Sequence, residues 1–489
     1  MPKRTRIWLL AGILIIATFL RFYHFTTTPP GLYPDEAMDG NNAAEVVQTG
    51  HPQVFYVEDN GREGLYVNLV AAVLEVYPVY EPWVIRLPAA VAGVLTVLGL
   101  YLLVAELFGY EVGLLAAFLL ATSFWHINFS RIGFRAILAP LFLTWAAYLL
   151  AKAFRSRRRV SDTLLPIAAG VVYALGFYTY IAYRVTPLLL LLFIPFFRKT
   201  PHFWKKVAVF AVVTFLVAAP IGWYFVQHPA DFFGRTSQIS VTNSPTPIQD
   251  LAVNIAKTAG MFNFHGDENW RQNVAGAPEL FWPVGILFLL GIALCLYQLL
   301  PWKKDERFLF SLSNFGIWFT IAWFLLAGLP AVISDEGIPH ALRSILMLPP
   351  ALIFAAIGGV WFYRAMKRTS KTFARSIAIL FLVLVAAFAY VDYFIVWAMN
   401  QNVPGAFNAD YVTIGNEINA LPTGLPKYVV VNAGGVPVRG LPTPVETTMF
   451  ITDTFTTSTQ VAKNIHYLLP DQAGSIPAGT PSSTIFYIN

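Results

Sequence analysis

Uninterrupted apolar runs, separated by short polar segments, fill most of the first 399 residues. They fall at 7–20, 65–80, 85–108, 112–129, 136–154, 164–183, 185–197, 207–226, 280–300, 308–329, 341–363 and 374–399. None alternates apolar with polar positions, which disfavours an outer-membrane barrel and predicts helices that face lipid. A crossing takes about 20 residues, so the runs at 65–80 and 185–197 are marginal. The pattern predicts an all-α polytopic membrane protein with about 11 or 13 transmembrane helices.

Basic residues gather at the ends of these runs. The clusters at 155–159, 198–206, 303–307 and 367–375 belong in the cytoplasm by the positive-inside rule. Segments 227–279 and 334–340, and everything after residue 400, then fall outside. Lys3, Arg4 and Arg6 precede the first run, which lacks a small-residue cleavage site and reads as an uncleaved span with its N-terminus inside. The long polar stretch 26–64 follows it and is expected outside. Five runs precede the cluster at 155–159, which gives the wrong parity, so one of them is not a crossing or one has been missed.

From residue 400 the pattern changes to Gly, Pro and Thr with short β-branched bursts at 428–431 and 484–488. This predicts a small soluble extracytoplasmic domain, 400–489, of β or α/β class, mostly strands and turns, after a membrane domain at 1–399. Composition supports the division of labour. Of 489 residues 56% are apolar and 12% charged, against roughly 25% charged in soluble domains, which excludes a water-soluble globule. The single cysteine, Cys295, excludes an intramolecular disulfide and a cysteine metal cage. The net charge of +6 reflects basic residues at span ends, so it reports orientation in the bilayer and gives no support for a nucleic-acid partner. Neither a dinucleotide-binding fingerprint nor a phosphate-binding P-loop is present.

The chemistry lies in polar islands between the spans. Segment 31–50, GLYPDEAMDGNNAAEVVQTG, predicts a helix opened by Pro34, with Asp35 and Glu36 at its positive end and Gly50 closing it. Asp35 and Asp39, four apart, project from one face. Segment 58–64 carries Arg62 and Glu63, segment 130–136 carries Arg131 and Arg135, and Arg184 follows Tyr178, Tyr180 and Tyr183. His340 and Arg343 follow the acidic pair Asp335 and Glu336. Ionisable groups at such depths are costly unless they pair or serve a site. Acids and guanidiniums on one membrane face suit sugar transfer from a polyprenyl phosphate: a carboxylate takes the acceptor proton and arginine forks hold the departing phosphate. Each island also has a plainer reading. Asp35 and Glu36 suit helix capping, Arg62 suits pairing with Glu63 or Asp59, and the tyrosines suit an interfacial belt. His265, Asp267 and Glu268 suit a solvated loop better than a cation site.

The ordered set of Asp35 and Glu36, Gly61 and Arg62, Arg86 to Pro88, and 113–123 followed by Ser130 and Arg131 resembles the GT-C glycosyltransferases. It is similar in particular to the branch of protein O-mannosyltransferases and the lipid A aminoarabinose transferase. The resemblance covers roughly the first 200 residues, and beyond them only the hydropathy profile agrees. It implies Asp35 as catalytic base or acceptor-orienting carboxylate, with Glu36 its partner, and Arg62 at the donor phosphate, where Arg131 and Arg343 are further candidates. Asp39, Tyr183, Arg184 and His340 complete the candidate substrate contacts. Where the family often has Gly-Lys/His-Pro-Pro, this chain has Gly-Arg-Glu-Gly. The implied reaction is an inverting, direct displacement from a polyprenyl-phosphate-linked sugar to a protein, lipid or glycan acceptor outside the cell membrane. A divalent metal ion is compatible with it, with no ligands assigned. The competing readings are a transporter or lipid flippase, and a ligase or polymerase that moves a whole glycan from a lipid carrier.

Overall fold

The computed structural model describes residues 2–156, 163–300 and 312–489. The basic positions 157–159 and 303–307, and the start of the run at 308–329, lie outside the described residues. Among the described residues eight helices are long and apolar enough to cross a membrane: Lys3–Phe22, Pro82–Phe108, Arg135–Arg155, Phe203–Gln227, Trp282–Leu299, Asn314–Val332, Ile345–Thr369 and Lys371–Trp397. Four shorter apolar helices accompany them at Leu65–Val76, Tyr110–Ala121, Leu164–Tyr178 and Ile181–Phe197. The expected multi-pass helical membrane protein is therefore present, and about 11 or 13 crossings are approached only when short helices are counted.

The chain divides into two compact units. The first takes the residues up to Tyr23, then Ala90–Ser130 and Arg135–Trp397. Its centre is the Ile345–Thr369 helix, whose apolar window is 83% buried, against 6% for Phe203–Gln227. Small residues let helices approach: a Cβ on Gly291 would run into the Phe354 carbonyl, and one on Gly358 into the Leu287 carbonyl. Arg21 is wholly buried at the end of the first helix. It donates to the carbonyls of Ala17 (3.0 Å) and Ala121 (3.1 Å) and lies 2.6 Å from His126 Nδ1, so it caps the open carbonyl end of Tyr110–Ala121.

That cap explains why the run at 112–129 is not one helix. Thr122 turns its hydroxyl back to the Phe118 carbonyl (2.8 Å), and the Ser123 side chain accepts the amide of His126 to start a second short helix, Phe124–Phe129. The marginal run at 65–80 becomes the 12-residue helix Leu65–Val76 and belongs to the second unit. Before residue 155 two runs thus yield helices of only 12 residues, Leu65–Val76 and Tyr110–Ala121, shorter than a full crossing.

The second unit comprises His24–Ala89, Arg131–Phe134 and Ala398–Asn489. The polar stretch 26–64 and the C-terminal tail share this one body. Met38 of the Pro34–Thr49 helix packs in one apolar core with Tyr411, Val429, Val431, Met449 and Ile488 of the tail. The tail is also more helical than its strand-rich sequence suggests. Three of its strands form a sheet in the order Ile465–Leu468, Lys427–Val431, Ile485–Ile488, parallel throughout, while the short strands Pro437–Val438 and Leu441–Pro442 pair antiparallel on their own. Parallel neighbours need crossover connections, and the helices Glu446–Thr452 and Thr457–Lys463 lie between the first two parallel strands in the chain.

Candidate active site

The Pro34–Thr49 helix positions the acids. Pro34 fills its first turn, Gly50 ends it at φ 72°, and Glu36 turns back to accept the Tyr33 amide at 3.4 Å. Glu36 does more than cap. Its Oε2 accepts from Arg86 Nε (2.8 Å) and from the Gly133 amide (2.6 Å), and its Oε1 accepts from Arg86 Nη2 (3.2 Å). Arg86 in turn donates to the carbonyls of Pro29 (2.7 Å) and Gly31 (2.8 Å). Glu36 and Arg86 are both buried, so the carboxylate that the resemblance pairs with Asp35 stands as an anchor for the loop ahead of the helix.

One turn further, Asp39 Oδ1 accepts from Arg62 Nη1 at 2.8 Å. The same nitrogen donates to the Asp35 backbone carbonyl at 2.9 Å, and Arg62 Nη2 pairs with Asp59. Arg62 is buried, which by itself pulls its pKa down, but Asp39, Asp59 and Asp35 outweigh that and hold it above its ordinary value. The hairpin Phe55–Tyr56 with Arg62–Glu63 presents it. The turn of that hairpin holds Asp59, Asn60 and Gly61 at positive φ, a conformation Asp and Asn tolerate and Gly favours. Of Asp35, Glu36 and Asp39, only Asp35 retains part of its surface to solvent. Arg131 is buried in the same unit, where its Nη2 donates to the carbonyls of His24 (3.2 Å) and Thr28 (2.8 Å).

The C-terminal tail bonds the acidic helix and the segments that flank it. Asn41 donates to Glu446 Oε2 (2.7 Å) and to the Glu446 carbonyl (3.0 Å), Thr447 donates to the Leu32 carbonyl (2.8 Å), and Arg439 pairs with Glu45 and Glu58, each at 2.7 Å. Burial pushes Glu446 up to about 8, against the lowering effect of the Asn41 bond. The Asn42 amide is buried with no hydrogen-bond partner among the described residues.

The other candidates lie in the membrane unit. Arg343 donates to the Glu336 carbonyl at 2.6 Å and reaches its carboxylate at 3.4 Å. His340 Nδ1 is 3.7 Å from Asp267 Oδ2, which also accepts the Ala341 amide at 2.7 Å. Burial pushes Asp267 up to about 6 against its backbone hydrogen bonds. His340, Asp267, His265, Glu268 and Lys257 line a cavity of about 590 Å³. Tyr183 is a core side chain packed on Tyr173 and Phe177. The Arg184 guanidinium lies over the faces of Phe232 (4.3 Å) and Phe225 (4.9 Å). Among the described residues no group of three His, Cys, Asp or Glu is arranged to hold a metal ion, so no step is assigned to one.

In the sequence Arg86 is a lone charge beside an apolar run, which signals a partner. Glu446 carried no local signal, since its partner Asn41 lies 405 positions away.

The profile of the dolichyl-phosphate-mannose-protein mannosyltransferase family matches residues 67–224. No curated protein matches the chain in sequence. In fold the chain is similar to the oligosaccharyltransferase of Archaeoglobus fulgidus, at 14% identity and TM-score 0.56, over 97% of this chain and 65% of that one. The archaeal oligosaccharyltransferase AglB from Archaeoglobus fulgidus, in complex with an inhibitory peptide and a dolichol-phosphate, is matched at 14% identity and TM-score 0.55, over 92% of this chain and 64% of that one. ArnT from Cupriavidus metallidurans bound to undecaprenyl phosphate is matched at 13% identity and TM-score 0.57, over 95% of this chain and 90% of ArnT. The chain thus spans just under two thirds of the archaeal enzyme and most of ArnT. Family profile and fold bear out the resemblance to GT-C glycosyltransferases read from roughly the first 200 residues.

Proposed function

We propose that this chain, which has the fold of the GT-C membrane glycosyltransferases, transfers a sugar from a polyprenyl-phosphate carrier to an acceptor on the extracytoplasmic side. The match to proteins solved with dolichol-phosphate and undecaprenyl phosphate supports the donor class. The positive-inside pattern supports the side.

The observation that carries the reading is Asp35. It sits in the first turn of its helix, partly open to solvent, with its backbone carbonyl fixed by Arg62. In an inverting displacement Asp35 accepts the proton of the acceptor nucleophile as that atom bonds the anomeric carbon. The bond from that carbon to the phosphate oxygen breaks, and the lipid phosphate departs with the electron pair. Glu36 and Arg86 fix the loop in which Asp35 is presented. Arg62 is engaged by Asp39, Asp59 and the Asp35 carbonyl, which supports a role in holding the acids over the phosphate contact that the resemblance implies. For the donor phosphate, Arg343 and His340 are proposed separately, from their own unit: the acidic partner of Arg343 is the exposed Glu336 carboxylate, which a phosphate can replace.

The test incubates the purified protein in detergent with labelled polyprenyl-phosphate sugars and membrane extracts. Transfer is expected from wild type and is expected to be lost in Asp35→Asn. Unaltered transfer by a folded Asp35→Asn variant removes the assignment, and solute transport without any glycosyl transfer removes the class.

A further inference from the structure

A second cleft, of about 290 Å³, opens within the membrane unit beneath the segment 273–281. Its walls are apolar: Leu119, Phe281, Leu352, Val385, Phe388 and Ala389. Two acids line it as well, Glu279 and Asp392. Glu279 is 4% exposed, and while its Oε1 accepts the Asp267 amide at 3.1 Å, its buried Oε2 has no hydrogen-bond partner among the described residues. Asp392 stands where the Lys371–Val391 helix widens into a π-helical stretch, Asp392–Trp397, a distortion that recurs at functional sites.

Acids beside apolar walls are expensive to keep without a partner. Burial accordingly pushes Glu279 well above its ordinary value, against the lowering effect of the Asp267 amide. The transfer reaction uses neither group. The helices that border the cleft, Trp282–Leu299 and Lys371–Trp397, are among the least covered spans, with 33% and 22% of their apolar windows buried. Of these helices, Trp282, Ile286, Leu380 and Leu384 are exposed apolar side chains, which suit contact with lipid.

We propose that this cleft is a binding site for a glycerophospholipid with a primary-amine head group. The ammonium sits between Glu279 Oε2 and the Asp392 carboxylate, and the acyl chains lie along Val385, Phe388 and Leu352. An arriving ammonium partners the Glu279 Oε2 that the chain leaves unsatisfied and favours the ionised form of both acids, and the apolar walls select a cation that carries a hydrocarbon tail. A primary ammonium donates three hydrogen bonds to these oxygens, whereas the quaternary ammonium of a choline lipid donates none.

The test measures lipid retention on the purified full chain by native mass spectrometry, together with lipid-induced thermal shifts. The probes are phosphatidylethanolamine, phosphatidylcholine and phosphatidylglycerol with identical acyl chains, plus free ethanolamine. The ethanolamine lipid is expected to bind at least about tenfold tighter than the choline lipid, and Asp392→Asn and Glu279→Gln are each expected to bring that ratio towards one. The Glu279→Gln change keeps the oxygen that accepts the Asp267 amide, so the lipid-free melting temperature is expected to hold or rise. Should Glu279→Gln nevertheless fail to fold, Asp392→Asn decides. Equal binding of ethanolamine and choline lipids by wild type overturns the site, and so does an unchanged ratio in a folded Asp392→Asn variant. Free ethanolamine binding as tightly as the lipid overturns the part assigned to the walls.

Discussion

The Gly133 amide donates to Glu36 Oε2 at 2.6 Å across 97 positions of sequence, and the approach is close enough to require a glycine. A Cβ on Gly133 would lie 2.8 Å from an Ile85 methyl and 3.1 Å from Glu36 Oε2 itself. This bond, with the Arg86 pair beside it, ties the loop ahead of the acidic helix to the segment after residue 130. It sets the position from which Asp35 acts.

Removing either member of the Glu36–Arg86 pair leaves a buried charge uncompensated. Glu36→Ala and Arg86→Ala are each expected to cost about 3–5 kcal/mol, and the double variant less than the sum. Chemical denaturation of the four proteins checks this. Gly133→Ala is expected to lower the melting temperature without changing any charge.

Arg62→Lys keeps the charge near Asp39 and Asp59 but cannot reproduce the fork that also reaches the Asp35 carbonyl. Transfer is expected to fall about 10- to 100-fold, with donor affinity little changed. A large rise in donor KM at constant kcat would instead support the phosphate contact.

Arg343→Ala is expected to raise donor KM about tenfold while leaving stability nearly unaltered, because the carboxylate it leaves behind, on Glu336, is 67% exposed. Initial-rate kinetics and a melting curve on one preparation separate the two effects.

Glu446 gives the second unit a pH dependence. Its pKa is raised in the folded chain from 4.5 to about 8. Between those values the folded chain keeps a proton that the unfolded chain has released. Stability therefore falls as pH rises through that window and levels off above it. Glu446→Gln, which keeps an acceptor for Asn41, is expected to flatten the slope and to stabilise the protein at pH 8. Since one pKa unit is about 1.4 kcal/mol, the gain is on the order of a few kcal/mol. Melting curves from pH 5 to 9 read it out.

Much of this arrangement was legible in the sequence because each feature has a local cause. Pro34, Asp35 and Glu36 mark a helix start by chemistry that needs no partner, and the apolar runs announce spans by length. What escaped was set by distant contacts. Nothing near Glu36 shows that Arg86 and Gly133 will consume its oxygens, and nothing near Met38 shows that it packs on strands after residue 427. The break of the run at 112–129 depends on Arg21, which meets the freed carbonyls only after folding. The tail read as strands because its β-branched bursts are local, whereas the parallel order that demands crossover helices is not.

The central claim is that Asp35 takes the acceptor's proton. Single-turnover transfer by Asp35→Asn against wild type, with saturating donor and equal melting temperatures, tests it most directly. The rate is expected to drop at least about 100-fold with donor binding unchanged. A rate within about twofold of wild type would contradict the assignment.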